Sequence, residues 1–390
     1  MSAPAVTIRE DEGPGVTTLE LFFDLVFVFT LTQLTGKLEH DLSLETLVQI
    51  VLIFVVLFWM YSGYVWLTNQ VPPVTTASRL LLIGGMAGFL VCALAVPHAF
   101  DSDGLAFAVG FFVVIVVHSG MFASAYGRGT LGFVPLNFVG ATCILVAGLV
   151  DGPAVYALWL VPIVLTFVSS TLTQRDPGLA ESGFTFRGGH LVERHGLLLL
   201  VALGESVVAI GIGLAGVELE PRTYLAAVLG LLLVSALWWT YFAGDDERAL
   251  EALRDAPLRD QLGMAIGAFF YAFVVMLLGV VILAAGLALT IAAVDVRTTL
   301  EIAALLGGGA AVYLAGDVLF RLKLGIEPRR YRVVALPFLL ATIPLGSGVS
   351  GMAQIIAVIG VFVGVLFFEK RARDGGPSTC VHRSSTRSIM

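Results

Sequence analysis

Apolar runs of about 20 residues follow one another along nearly the whole chain, separated by short polar, glycine- or proline-containing turns. That pattern predicts twelve helices, near 19–36, 46–68, 79–97, 105–126, 131–150, 153–173, 191–215, 222–243, 262–287, 299–321, 331–345 and 349–368. Each is of the order needed to cross a bilayer core about 30 Å thick. Asp151-Gly-Pro153 is the turn that divides the fifth from the sixth. Pro337 and Pro344 interrupt the eleventh, and Gly346-Ser-Gly348 follows it closely.

Composition agrees with the pattern. The chain of 390 residues is 58% hydrophobic and 13% charged, with mean hydropathy +0.94. Soluble domains carry about 25% charged residues. Lipid-facing backbone must satisfy itself within its own segment, so the expected fold is an all-α polytopic membrane protein. The alternating segments of about 10 residues that mark a transmembrane barrel are not evident. The acidic first residues lack the basic start of a secretory signal. Cys92 and Cys143 lie in apolar runs and Cys380 in the tail, without the spacing of a disulfide framework or a zinc site.

Loop charges orient the spans. With the N-terminus in the cytoplasm, only Lys37, Arg222 and Arg297 fall outside, and all the other lysines and arginines fall inside. Every connection then obeys the positive-inside rule, and both termini are expected in the cytoplasm. A weak internal repeat starts again near residue 191. It suggests a polar segment 1–16, six helices over 17–190, six more over 191–370, and a disordered cytoplasmic tail 371–390. Two units with an even number of spans share orientation, as parallel repeats do.

Carboxylates inside such runs are costly, about 2.5–3.5 kcal/mol each on insertion scales, and are functional candidates for that reason. Glu20 and Asp24 stand in Glu-Leu-Phe-Phe-Asp-Leu-Val-Phe-Val, and Glu205 in Leu-Gly-Glu-Ser-Val-Val. Thr17 and Glu20 have the spacing of a capping box. Asp24 lies one turn on, roughly 10 Å into the helix. It suits either a pathway role or a structural ion pair. Glu205 falls near the midplane between the small residues Gly204 and Ser206, where a cation- or proton-binding group is expected. The repeat makes Asp24 and Glu205 counterparts.

Single polar groups mark other helices: Gln33, Gln49, His118, Asn137, Asp317 and Gln354. Asp317 precedes Arg321 by four residues, which predicts a local ion pair. His118 suits a hydrogen bond to a neighbouring helix. Arg194 and His195 read as interfacial, with some chance of reaching the surroundings of Glu205. His190 and His195 are five apart, poor geometry for one face. Asp245-Asp-Glu-Arg248, after Trp238-Trp239, reads as a solvated turn beyond an aromatic belt. No Walker A, H-E-x-x-H, G-x-S-x-G or CxxC pattern occurs, so the common hydrolase, ATPase and redox chemistries lack their residues.

Glu20-Leu-Phe-Phe-Asp24-Leu, together with Glu193-Arg194-His195-Gly196 and Leu203-Gly204-Glu205-Ser206, resembles the bacterial low temperature requirement protein A (LtrA) family over residues 16–370. The resemblance implies a multi-pass membrane protein linked by name to growth in the cold. More distantly, Phe22-Phe23-Asp24 with Val26-Phe27 is similar to the F-S-D motif of potassium channels built from six-helix repeats. There the first helices line the pore; here Phe23 replaces the serine.

These readings lead to one expectation. The chain is a channel or secondary transporter of the cytoplasmic membrane for a small ion or solute, and not an enzyme. Asp24, Glu205, Glu20 and Ser206 are the expected pathway residues, with His118, Asn137, Asp317, Arg194 and His195 in support. No cofactor, metal or nucleic acid is expected; membrane lipids are, and self-association is left open. The alternative is a membrane sensor or scaffold supporting growth in the cold, in which the carboxylates only pair with buried donors.

Overall fold

The computed structural model describes residues 15–126, 134–175, 187–215, 220–292 and 296–374. Arg9, Arg128, Cys380 and the end of the tail lie outside them. Every regular element among the described residues is helical. The first half comprises α1 (Thr18–His40), α2 (Leu44–Gln70), α3 (Thr76–Ala95), α4 (Gly104–Tyr126), α5 (Val134–Ala147) and α6 (Ala154–Arg175). The second begins with α7 (Gly188–Gly213), α8 (Pro221–Phe242) and α9 (Asp245–Asp255). Next comes α10, built from Leu258–Ala265, a π-helical stretch Ile266–Ala272 and Phe273–Ala292. It is followed by α11 (Leu300–Leu324), α12 (Arg330–Leu340), α13 (Ile343–Gly348) and α14 (Gly351–Asp374).

Among the described residues eleven helical segments are long and apolar enough to cross a membrane, α12 and α13 together forming one of them. Over its described residues the twelfth expected helix, α5, spans 14 residues, about 21 Å at the α-helical rise. The expected order of spans is otherwise reproduced, and the interruption expected in the eleventh is a real break after Leu340.

Local chemistry sets the helix ends. Thr17 caps α1 in a complete capping box: its hydroxyl accepts from the Glu20 amide (3.3 Å), and its own amide donates to Glu20 Oε2 (2.9 Å). Gly244, with φ of 101°, takes a left-handed turn that few other residues tolerate and sends the chain from α8 directly into α9. The acidic stretch after it was expected to be a solvated turn; it is instead the first turn of an amphipathic helix whose Asp245 is 1% exposed. The turn aims that carboxylate back into the bundle rather than into water.

The tightest packing is between α10 and α11. Gly279 and Gly286 meet the backbone at Tyr313 and Leu306, while Gly309 and Gly316 meet Leu283 and Met276. A Cβ at any of the four would fall within 3 Å of the facing backbone, so only glycine permits this approach. Against α10 of this pair sits α1, which also packs on α2, α3 and α7. The first helix is therefore central, and Glu20 and Asp24 on it face protein.

Candidate functional site

Two fully buried ion clusters lie at one end of the bundle, and a cavity opens at the other. The first cluster is assembled from α1, α2 and α7. Arg194 places Nη1 3.1 Å from Glu20 Oε1, and Nη2 and Nε 2.9 and 3.2 Å from Asp24 Oδ1. Nη1 also donates to Thr68 Oγ1 at 2.5 Å, and the Tyr61 hydroxyl donates to Asp24 Oδ1 at 2.9 Å. His190 Nε2 lies 3.2 Å from Glu20 Oε1. Phe23 and Tyr61 wall the guanidinium, their ring centroids 5.7 and 5.9 Å from its carbon. Arg194 is 0% exposed, and both carboxylates are 1% exposed. Arg194 is thus not interfacial: it is the counter-charge of the two carboxylates on α1. Glu20 caps its helix with one oxygen and binds Arg194 with the other.

The second cluster comes from α8, α9, α11, α12 and α14. Arg321 grips Asp245 with two nitrogens, at 2.7 and 3.0 Å, and Glu369 with two, at 3.1 and 3.2 Å. Arg332 reaches Glu369 at 2.9 and 3.1 Å, Asp245 at 3.1 Å, Asp317, and the Thr240 carbonyl at 2.9 Å. The expected Asp317–Arg321 pair does not form. With Arg321 committed to Asp245 and Glu369, Arg332 takes the Asp317 carboxylate. Arg248 and Arg373 complete the cluster at its rim.

Glu205 stands apart from both clusters. It is half-buried on α7, and its Oε1 accepts a hydrogen bond from Thr32 Oγ1 of α1. Glu20 and Asp24 face His190 and Arg194 while Thr32 faces Glu205, so α1 and α7 run parallel. Thr32 is eight residues beyond Asp24, about 12 Å along the helix. The two carboxylates therefore do not converge. Phe27, Val28 and Leu31 of α1 and Leu198, Leu199 and Ala202 of α7 lie between their levels, all buried.

A cavity of about 690 Å³ rises from Glu205. Thr32, Gln33 and Lys37 of α1 form one wall, Val208, Ala209 and Ile212 of α7 another, and Asp41 and Asp101 stand towards its mouth. The Lys37 ammonium is tied to the Pro97 carbonyl at 2.7 Å. Hydrogen bonds from the Thr46 and Ser43 hydroxyls and the Ser43 amide hold the Asp41 carboxyl below its usual value, keeping it ionised. Among the described residues no lysine, arginine or histidine forms an ion pair with Glu205. Glu20, Asp24, Asp245, Asp317 and Glu369 each have an arginine.

The supporting residues scatter. Ser206 is fully buried and does not line the cavity, its hydroxyl without a hydrogen-bond partner. His195 points Nδ1 at the Leu191 carbonyl (2.9 Å) and packs its ring on Phe269 and Phe273, away from Glu205. His118 stacks edge-on to Tyr64, and Asn137 accepts from Trp59 Nε1 at 3.2 Å. Gln49 donates to the Tyr156 hydroxyl and Gln354 to the Ala303 carbonyl. Sequence reasoning missed Asp245, Arg332 and Glu369. They stand at helix ends, where charge ordinarily meets water, and only their tertiary burial distinguishes them.

The chain belongs to the family described as bacterial low temperature requirement A protein (LtrA), whose model matches residues 15–367. It is 29% identical over 310 residues to the "Uncharacterized protein RA0937" of Rhizobium meliloti (strain 1021), covering 77% of this chain and 75% of that one. No solved structure matches it. The chain is an integral, multi-pass helical membrane protein.

Proposed function

We propose that this member of the low temperature requirement A family is a secondary transporter of the cytoplasmic membrane for a small ion or solute, with Glu205 at its binding site. The observation that carries the reading is the contrast among carboxylates. Five are neutralised by arginine in dry surroundings, whereas Glu205 has one hydroxyl donor and a cavity above it. An uncompensated carboxylate within a membrane helix needs a cation or a proton. Buried apolar residues of α1 and α7 lie beneath Glu205, which supports access from the cavity side only. One-sided access favours alternating exposure over a continuous pore.

In this reading Asp24 and Glu20 leave the pathway and hold α7 against α1 through Arg194. The positive-inside bias of the loops supports a cytoplasmic end for the clusters and the opposite end for the cavity. The absence of hydrolytic and redox motifs supports a role without catalysis.

The test is flux in proteoliposomes driven by proton or cation gradients, comparing wild type with Glu205→Gln. Flux that the substitution abolishes supports the reading. Wild-type protein silent to all imposed gradients, in both directions, overturns it. A sensor or scaffold draws its support from the dry pairing of Asp24 with Arg194, and that pairing leaves Glu205 unexplained.

A further inference from the structure

We propose, resting on the transport reading above, that the ligand of the Glu205 cavity is an organic monocation: an ammonium group carried on a short apolar chain. The floor holds one carboxylate and one hydroxyl, Glu205 and Thr32. An ammonium has three donors and no acceptor, and carboxylate oxygens with the Thr32 hydroxyl can receive them. A bare calcium ion needs six to eight oxygen ligands. The helical carbonyls nearby are occupied within their own helices. Among the described residues, no group of three or more His, Cys, Asp or Glu side chains is gathered to hold a metal.

The walls specify the remainder of the ligand. Val208, Ala209 and Ile212 follow Glu205 at i+3, i+4 and i+7, so they form an apolar stripe on the face of α7 that carries the carboxylate. That stripe is about 10 Å long, the reach of a short alkyl chain. The volume of about 690 Å³ is that of a small-molecule site, far more than a bare ion fills. Above Glu205 the lining carries three further carboxylates, Glu39, Asp41 and Asp101, against the single ammonium of Lys37, so the field there draws cations inward.

The experiment is calorimetric titration of the purified full chain in nanodiscs with methyl-, butyl- and hexylammonium, and with sodium and potassium chloride. Saturable alkylammonium binding is expected, tightening roughly three- to fourfold per added methylene along the stripe. Glu205→Gln should weaken it at least about tenfold, and Ile212→Ala should flatten the chain-length dependence. The inference fails if hexylammonium does not bind wild type, if Glu205→Gln binds it equally well, or if millimolar sodium or potassium displaces it. Binding without flux in proteoliposomes would retain the ligand class and remove the transporter. Proton or alkali-cation flux without alkylammonium binding would do the reverse.

Discussion

Arg194 on α7 and Asp24 on α1 are 170 positions apart in the chain, and their side chains meet at 2.9 Å with neither more than 1% exposed. The contact joins the first helix to the seventh. It sits beside a second carboxylate, Glu20, that shares the same guanidinium. Removing one partner of such a buried group leaves an unpaired charge and costs about 3–5 kcal/mol.

Arg194→Ala should therefore lower the thermal stability of the detergent-solubilised protein severely, by an amount of that order. Glu205→Gln, which removes no counter-charge, should leave the melting temperature close to wild type. Tryptophan fluorescence during a thermal ramp measures both. Equal losses in the two variants would contradict the assignment of a structural role to one and a ligand role to the other.

In the second cluster the partner of Asp317 is Arg332 rather than Arg321. A double-mutant cycle with Asp317→Asn and Arg332→Met should return a coupling within about 0.5–3 kcal/mol. The cycle with Arg321→Met should return a smaller one. Reversed magnitudes would mean that the local i,i+4 pair prevails after all.

The cavity makes an accessibility prediction. With Cys92, Cys143 and Cys380 replaced, Gln33→Cys on the cavity wall should react with a membrane-impermeant maleimide added to intact cells. Leu199→Cys, at a fully buried position below Glu205, should not. Labelling of Leu199→Cys at a comparable rate would show an open route past the apolar layer and favour a channel.

Packing between α10 and α11 separates two adjacent glycines. Gly309 abuts the backbone of Leu283, whereas Gly308 faces open space. Gly309→Val should destabilise by about 1–3 kcal/mol or more through overpacking, and Gly308→Val should be close to neutral. Yield of monodisperse protein and unfolding temperature distinguish them.

The spans were legible because a bilayer demands long apolar runs, and that demand is written residue by residue. Charge placement was less so. Asp317 and Arg321 stand four apart, and local spacing alone predicted their pairing; Arg332 won because α12 folds back to bring it alongside. Asp245 looked solvated because its neighbours are charged, yet a single left-handed glycine reverses its direction. Arg194 counted as a loop charge in the topology argument while being fully buried. The equation of Asp24 with Glu205 rested on repeat alignment, and contacts that link α1 to α7 put them at different levels. The capping box of Thr17 and Glu20 was readable because it is made within four residues.

Arg194 also has a bearing on how the protein is made. The ribosome delivers α1 to α6 before Gly188 exists, so Glu20 and Asp24 enter the membrane without the arginine that neutralises them. The nascent first half must keep α1 near water, protonate its acids or shelter it until α7 emerges. The second cluster carries no such debt, since Asp245, Asp317, Arg321, Arg332 and Glu369 all come from residues after 244. Expressed as separate fragments, the N-terminal half would hold Glu20 and Asp24 without their arginine and the C-terminal half would hold Arg194 without its carboxylates, so the two halves should mature together and not apart.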